Sequence, residues 1–359
     1  MSTEHFMVKN KPKIVSIGGG TGLSTMLRGL KMYTDRITAV VTVADDGGGS
    51  GVLRSDLNMP PPGDIRNCLL ALSETEPVME KLLRHRFSGG RLRGQSFGNL
   101  LLAAMNEIYQ GDFVTAIQSV SDVLKVTGKV LPVTDEDVEL VAVLENGQKV
   151  FGESNIGHCL SRYGCRIETV CLRNKKKPSE EIVPVKEIAE EIQQADLITL
   201  GPGSLYTSVL PNLCVHQLAE IIHKAKAPVV YINNIMTQPG ETDGYTAFDH
   251  VQAILKHTCP DFIDYCIVNN RKIDTPLLSK YIEQDAEAVP YDSGRFLQTR
   301  ISVIEKDLVG IQDNRYIRHD AVVLADTILD IVNKVRMKDS AAVSEEGVLL
   351  YQPKRSRKK

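Results

Sequence analysis

The segment KIVSIGGGTGLSTMLRGL, residues 13–30, decides the fold predicted for this chain of 359 residues. Its apolar residues Ile14, Val15 and Ile17 form a short run that stops at three glycines, as a buried strand does. After Gly22 the apolar spacing becomes helical, at positions 23, 26, 27 and 30. A strand, a glycine loop and a helix in this order aim backbone N–H groups and a partial positive charge at the loop. We therefore expect the loop to bind an anion, most often a phosphate.

The glycine loop lacks residues that define two common phosphate-binding motifs. A dinucleotide-binding G-x-G-x-x-G counted from Gly18 needs glycine where the chain has Leu23. A Walker A loop needs lysine and then serine or threonine where the chain has Leu23 and Ser24. A tight turn without a ligand is therefore the alternative, although few turns need three consecutive glycines.

Composition and charge are those of a soluble globular protein. The chain is 42% hydrophobic and 24% charged, and its net charge of -3 does not favour nucleic-acid binding. Residues 338–359 are polar and end in a basic run, so we expect a disordered tail there. Neither a secretion signal nor an apolar run of about 18 residues is visible, which predicts a cytoplasmic protein without a membrane span. The seven cysteines are expected to be reduced.

A second apolar run at residues 37–43 completes a βαβ unit and ends at Asp45 and Asp46. An acidic residue at this place often binds a ribose hydroxyl. Two neighbouring carboxylates can alternatively hold Mg²⁺ together with phosphate oxygens. A simple Asp-Gly turn is the third interpretation. The small residues Ser50 and Gly51 follow in the same loop.

The next predicted helix begins after three prolines, at residues 60–62, with Asp64 placed to cap it. Arg66 and Asn67 fall in its first turn, where a guanidinium and an amide suit phosphate or base recognition. Two further helices are predicted over residues 97–108 and 113–124. Ser96 precedes the first of these helices and Asn99 lies near its start, which repeats the pattern of small polar residues at a helix terminus.

Residues 135–184 read as an antiparallel insert. Strand-like alternation surrounds Asn146-Gly147, a strong hairpin signal, and another short strand is predicted over residues 167–172. The cysteines in this segment match no common zinc-site spacing.

Parallel architecture resumes after the insert. A strand over residues 195–200 runs into a second glycine loop, Gly201-Pro202-Gly203-Ser204, which is followed by Tyr206. Helices over residues 215–224 and 248–257 alternate with strands over 228–232 and 264–268. Asn233 lies at the end of one of these strands, where open α/β sheets bind ligands. A last helix is predicted over residues 319–337.

Five motifs in a fixed order resemble the bacterial gluconeogenesis factor family, the YvcK-type proteins. They are IGGGTG at 17–22, ADDGG at 44–48 with Ser50-Gly51, PGDIR at 62–66, QSFGN at 95–99 and GPGSLYTS at 201–208. The resemblance covers residues 12–337 and implies a single domain with a modified Rossmann fold. This α/β fold has a doubly wound, mostly parallel sheet and is related to that of 2-phospho-L-lactate transferase.

The resemblance implies a cytosolic regulator that binds UDP-sugars such as UDP-N-acetylglucosamine and acts in cell shape and in growth on gluconeogenic carbon. The alternative is a Mg²⁺-dependent transferase acting on a nucleotide diphosphate, with Asp64 as its base. A dehydrogenase is disfavoured by Leu23, and a scaffold without a ligand stays open, as does a homodimer. Arg295 is a further candidate phosphate contact. The residues expected to bind the nucleotide are Gly18, Gly19, Gly20, Thr21, Gly22, Asp45, Asp46, Ser50, Gly51, Arg66, Asn67, Ser96, Asn99, Gly201, Pro202, Gly203, Ser204, Tyr206, Asn233 and Arg300, with Asp45 and Asp46 as possible Mg²⁺ ligands.

Overall fold

The computed structural model describes residues 11–312 and 316–349 of the chain. Within them, the strands are β1 (Ile14–Gly18), β2 (Ile37–Val41), β3 (Lys129–Pro132), β4 (Val138–Leu144), β5 (Lys149–Phe151), β6 (Ile167–Asn174), β7 (Leu197–Leu200), β8 (Val229–Ile232), β9 (Tyr265–Asn269), β10 (Ser302–Lys306), β11 (Val309–Gln312) and β12 (Tyr316–His319).

The helices of the same residues are α1 (Gly20–Leu30), α2 (Gly48–Leu57), α3 (Gly63–Leu72), α4 (Pro77–Arg84), α5 (Phe97–Ile108), α6 (Phe113–Val123), α7 (Glu153–Ile156), α8 (Cys159–Tyr163), α9 (Lys186–Gln193), α10 (Leu210–Leu213), α11 (Leu218–His223), α12 (Ala247–His257), α13 (Thr275–Ile282), α14 (Ser293–Phe296) and α15 (Ala321–Leu349). A 3₁₀ turn lies at Gly90–Leu92 and a π-helical turn at Leu205–Val209. No helix in these residues is long and apolar enough to cross a membrane.

Seven parallel strands form the central sheet, in the order β10-β9-β8-β7-β1-β2-β3. The predicted α/β fold with a mostly parallel sheet is therefore confirmed. Strand β1 is buried on both faces, as expected for a parallel sheet covered by helices. Val15 and Ile17 face one hydrophobic core, and Ile14 faces the other, which α1, α3 and α15 cover.

The predicted antiparallel insert is present as the three-stranded sheet β5-β4-β6. Gly147 turns the hairpin with a φ of +82°, a conformation that glycine adopts without strain. Helices α7 and α8 join β5 to β6, although this segment was predicted without helices. Buried residues of the insert, such as Leu140 and Ile156, belong to the core that also contains Val15 of β1.

Several elements differ from the sequence prediction, among them α2, which covers a segment predicted as a loop. The helix expected over residues 215–224 begins only at Leu218, because Gln217 adopts a left-handed φ of +61°. The antiparallel hairpin of β11 and β12 was not predicted. Helix α15 continues to Leu349, so residues 338–349 of the expected disordered tail are helical. The chain has no proline between Met337 and Leu349 that would end the helix earlier. The remainder of the predicted tail, residues 350–359, lies outside the described residues.

Candidate nucleotide site

The first glycine loop is shaped by close approach of its neighbours. A Cβ atom on Gly22 would lie 2.6 Å from the carbonyl oxygen of Pro202, and one on Gly19 would lie 2.7 Å from Oδ2 of Asp64. Gly20 begins α1 with a φ of +69°. The glycines therefore allow the second glycine loop and Asp64 to approach the start of α1 in a way that larger residues would prevent.

The second glycine loop follows β7, the strand beside β1. Gly201 has a φ of +79°, and the Gly201–Pro202 peptide bond is cis. The hydroxyl of Ser204 accepts a hydrogen bond from the Thr207 N–H at 3.4 Å and donates to the carboxylate of Glu241. Ser204 is thereby oriented by a buried acid that lies behind the loop.

A cavity of about 380 Å³ opens between the two loops. This volume is in the range of small-molecule sites. Its walls come from both glycine loops, the insert, the segment after β8, α13 and β12. The lining residues are Gly20, Thr21, Gly22, Glu153, Pro202, Gly203, Ser204, Thr207, Ser208, Asn234, Ile235, Met236, Thr237, Gln238, Pro239, Tyr281, Gln284, Ala286, Ile317, Arg318 and His319.

Three carboxyl groups at this site have raised pKa values. Burial and the charge of Asp45 raise the pKa of Asp64 to about 6, against the hydrogen bond from Gly20. Burial and the neighbouring acids, Asp45 foremost, raise the pKa of Glu153 to about 7. Burial likewise raises the pKa of Glu241 to about 7. Near neutral pH these groups can therefore donate or accept hydrogen bonds, and an added positive charge would stabilise their ionised forms.

Asp64 does not cap α3 as the sequence predicted. The N-cap position is Pro62, and Asp64 lies inside the first turn of α3. Its Oδ2 atom instead accepts the Gly20 N–H at 2.6 Å. The first N–H groups of a helix need acceptors from outside the helix, and Asp64 supplies one for α1. Asp64 thus lies directly beside the cavity, against a residue that lines it.

Asp45 and Asp46 point in different directions. Asp45 accepts the Gly47 N–H at 2.9 Å, within its own turn, whereas Asp46 accepts the Ser154 N–H of the insert at 2.8 Å. The charge that acts on Asp64 most strongly is that of Asp45. Among residues 11–312 and 316–349, no group of three or more His, Cys, Asp or Glu side chains could hold a metal ion.

A second group of the predicted residues lies beyond Asp64. A Cβ atom on Gly63 would contact Ser50 Oγ at 2.4 Å and Asp45 Oδ2 at 3.2 Å, so the start of α3 packs on the first turn of α2, which carries Ser50 and Gly51 and was predicted as a loop. Arg66 donates to Oδ1 of Asn67 at 2.8 Å and to the hydroxyl of Ser96. The structure therefore brings Arg66, Asn67, Ser96 and Asn99 together, although none of them lines the cavity.

Several predicted contacts lie away from the cavity. Tyr206 is buried, and its hydroxyl bonds to that of Tyr245 at 2.8 Å. The amide of Asn233 donates to the carbonyl oxygen of Ala247 at 2.9 Å. Arg295 pairs with Asp249 and Asp292 and stacks on Phe248. Arg300 is exposed and, like Gly18, Gly19 and Gly201, does not line the cavity.

Glu153, Arg318 and His319 line the cavity and were not predicted, and neither was Glu241, which lies behind the second glycine loop. Burial lowers the pKa of His319 to about 4, and its Nε2–H donates to the carbonyl oxygen of Asn233 at 3.0 Å. These residues come from segments that are distant in sequence, and their local patterns contain no motif. The only sequence signal near these residues is the glycine in Gln238-Pro239-Gly240-Glu241, which indicates a turn.

Comparisons with known proteins identify the family and the fold that this chain shares. A family model described as 2-phospho-L-lactate transferase CofD matches residues 14–309. The chain is 54% identical to a "Putative gluconeogenesis factor" of Thermoanaerobacterium thermosulfurigenes, over 92% of this chain and 99% of that protein. It is 49% identical to the "Gluconeogenesis factor" of Bacillus subtilis, over 90% and 99%. A solved structure of a UPF0052-family protein from Bacillus halodurans superposes with a TM-score of 0.83, at 46% identity, over 89% of this chain and 100% of that chain.

Proposed function

Because this chain belongs to the CofD family and, within it, to the gluconeogenesis factors, we propose that it binds a nucleotide-sugar in the cavity between its two glycine loops. A UDP-sugar such as UDP-N-acetylglucosamine is the proposed ligand. We propose a regulatory role in growth on gluconeogenic carbon, as the names of the relatives suggest, together with a role in cell shape.

The position of the cavity in the sheet is the observation that carries the proposal. From β1 the sheet continues through β2 to β3, and from β7 it continues in the opposite direction to β10. The two glycine loops follow β1 and β7, so the cavity lies at a topological switch point. Open α/β sheets bind nucleotides at this point, beyond the carboxyl ends of the strands.

The cavity walls suit the parts of a nucleotide-sugar. Thr21 and Gly22 belong to the first turn of α1, where backbone N–H groups and the helix dipole favour a diphosphate. Ser204 and Arg318 lie on other walls of the same cavity and supply a hydroxyl and a cation. Glu153, with its pKa raised to about 7, can exchange hydrogen bonds with sugar hydroxyls.

A second candidate is a phospho-group transferase, and two observations favour it. The matching family model is that of a transferase, and Asp64, with its pKa raised to about 6, is a buried carboxyl beside the cavity. In this reaction Asp64 would accept a proton from the attacking hydroxyl. Asp45 or Asp46 would hold Mg²⁺, which would supply positive charge to the diphosphate when bound.

Thermal unfolding with a panel of nucleotides tests the proposal. UDP-N-acetylglucosamine should raise the melting temperature more than GDP, NAD or ATP, because a ligand stabilises the state that binds it. The Arg318→Gln variant should reduce this shift. Arg36→Gln serves as the matched control, since Arg36 is exposed and lies at the opposite end of β2. If no nucleotide raises the melting temperature, both candidate functions are wrong.

Incubation with Mg²⁺ separates the two candidates. A regulator leaves UDP-N-acetylglucosamine intact, and chromatography after incubation shows only the starting compound. A transferase or hydrolase releases UMP or UDP. In that case Asp64→Asn should abolish the release while nucleotide binding persists.

A further inference from the structure

A basic region adjoins the site on the far side of Asp64 and is not used by the proposed function. It consists of Arg66, Arg84 and Arg86 together with Ser96 and Asn99 at the start of α5, and we call it the arginine notch. The arginine notch is not recognisable as a basic segment in the sequence, because the five arginines and lysines of residues 81–93 alternate with apolar residues and glycines.

Arg66 is directed into the notch by the packing of α5. A Cβ atom on Gly98 would lie 2.7 Å from Cδ of Arg66 and 2.8 Å from the carbonyl oxygen of Leu83. The absence of a side chain at this position lets Arg66 pass over the first turn of α5. Its guanidinium then reaches the hydroxyl of Ser96, which also caps α5 by accepting the Asn99 N–H at 3.2 Å. A cation therefore lies at the positive end of a twelve-residue helix.

The notch has an excess of positive charge. Arg84 pairs with Glu80. Neither Arg66 nor Arg86 has a carboxylate within ion-pair distance among the residues that the structure describes; Arg86 donates to the carbonyl oxygen of Gly94 instead. After burial, the charge of Arg86 is the strongest influence that lowers the pKa of Arg66. Cations held together beside a helix N-terminus are unfavourable unless an anion offsets their repulsion.

Buried polar atoms without partners point to the same place. Gln95 is 8% exposed and Asn99 is 2% exposed. Among the described residues, the side-chain oxygens of both and Nε of Arg66 have no hydrogen-bond partner. A buried polar group without a partner costs about 1–3 kcal/mol. Within the notch, the N–H donor of Arg66 and the oxygen acceptor of Asn99 match a phosphate group that carries both an oxyanion and a hydroxyl.

We infer that the arginine notch is a second anion-binding subsite, which takes a phosphate group beyond Asp64 and separate from the diphosphate held by the glycine loops. A hydrogen bond of Asp64 and the first turn of α3 connect the subsite to the cavity. Asp64 accepts the Gly20 N–H on the cavity side, and Arg66 lies two residues later on α3. The inference extends the proposed function, because it gives the site a second phosphorylated ligand or a second phosphate on the same ligand.

Titration of the full chain with inorganic phosphate, followed by calorimetry, tests the subsite without any nucleotide. Saturable binding is expected, weakened about tenfold or more by Arg66→Gln and by Arg86→Gln, because each substitution removes a charge-assisted hydrogen bond. Arg36→Gln is the matched control, since Arg36 is also exposed and donates to a backbone carbonyl, that of Lys11. Arg86→Gln keeps the test valid if Arg66→Gln fails to fold, because Arg86 is exposed.

Two results would overturn the inference. Wild-type protein that shows no saturable phosphate binding has no such subsite. If the Arg86→Gln protein binds phosphate as tightly as the Arg36→Gln protein does, the phosphate site of this chain lies outside the arginine notch.

A further titration uses UDP-N-acetylglucosamine in the presence of saturating phosphate. Both ligands should bind together, whereas competition would assign the notch to the phosphates of the nucleotide itself. Failure of nucleotide binding alone contradicts the proposed function and leaves the phosphate titration as the test of the subsite.

Discussion

At the scale of single residues, Asp64 is the side chain with the clearest pH dependence. Its carboxyl group is buried against the Gly20 N–H, and its pKa is raised from 3.8 to about 6. The folded state therefore holds the proton more tightly than the unfolded chain does. Ionisation of Asp64 lowers stability as pH rises between these two values, and above about pH 6 the loss is complete.

The Asp64→Asn variant should be more stable than the wild type at pH 7.5, by up to about 3 kcal/mol. The amide oxygen can still accept the Gly20 N–H, while the cost of the buried charge is gone. Below pH 4 the two proteins should be equally stable. Urea unfolding at several pH values measures the difference, and Asp56→Asn, at an exposed position on α2, is the control. A constant difference at all pH values would exclude ionisation as its cause.

Two substitutions of Asp46 distinguish a structural role of its carboxylate from a role in ligand binding. The Asp46→Ala variant should lose about 1 kcal/mol of stability, because the Ser154 N–H loses its acceptor. Asp46→Asn keeps an acceptor oxygen and should retain most of the stability. Denaturant unfolding measures both effects. If Asp46 binds ribose or a metal, as the sequence predicts, Asp46→Asn should weaken nucleotide binding as strongly as Asp46→Ala does.

At the scale of elements, the approach of the two glycine loops makes the site sensitive to small changes. In the Gly22→Ala variant the new methyl group meets the backbone of Pro202 and cannot be accommodated by side-chain rotation. We expect a loss of about 1–3 kcal/mol of stability and a narrower cavity. Gly89→Ala is the matched control, because a Cβ atom there contacts nothing within 4 Å. If the Gly22→Ala variant binds the nucleotide with wild-type affinity, the contact between the two glycine loops has no role in nucleotide binding.

The sequence predicted the elements better than the contacts between them. Strands such as β1 and β8 are short apolar runs bounded by glycine or asparagine. Every residue of these strands is buried, so the local sequence is sufficient to predict them. The hairpin of β11 and β12 was missed because each of its strands is only four residues long, which is too short for a clear alternating pattern.

Residues of the candidate site were predictable only where they belong to a glycine loop. Glu153 lies in the insert and Glu241 in a loop after β8. Tertiary packing brings Glu153 to the cavity wall and Glu241 to Ser204, which lines the cavity. Tyr206 was predicted from a motif that it shares with Ser204, yet the two side chains point to different sides of the π-helical turn. Sequence spacing does not determine this direction, because the turn departs from regular helical geometry.

At the scale of the whole molecule, stability and ligand binding depend on opposite edges of the sheet. Glu191 of α9 lies at the amino edge, where it bonds to Lys13 at 2.9 Å, to Lys129 at 2.7 Å and to Thr38 at 2.6 Å. Burial alone would raise the pKa of Glu191, but these partners outweigh it and lower the pKa to about 2. This stabilisation is present above pH 4.5 and is lost as pH falls towards 2.

The Glu191→Gln variant should be about 2–4 kcal/mol less stable at pH 7, because Lys13 is left in a buried position without its carboxylate. Thermal unfolding measures the loss, with Glu187→Gln on the exposed face of α9 as the control. Nucleotide affinity at a temperature where the variant stays folded should equal that of the wild type. Reduced affinity would show that the two edges of the sheet are coupled.

One contact of the insert limits how the parts of this protein can be exchanged. A Cβ atom on Gly240 would lie 2.1 Å from the carbonyl oxygen of Gly157, so the backbone of the insert is in close contact with the loop that carries Glu241. Glu241 in turn orients Ser204 of the second glycine loop. A chimaera that receives its insert from another protein must therefore receive the matching 238–241 loop as well. The insert and this loop behave as one replaceable module, although more than fifty residues separate them in the chain.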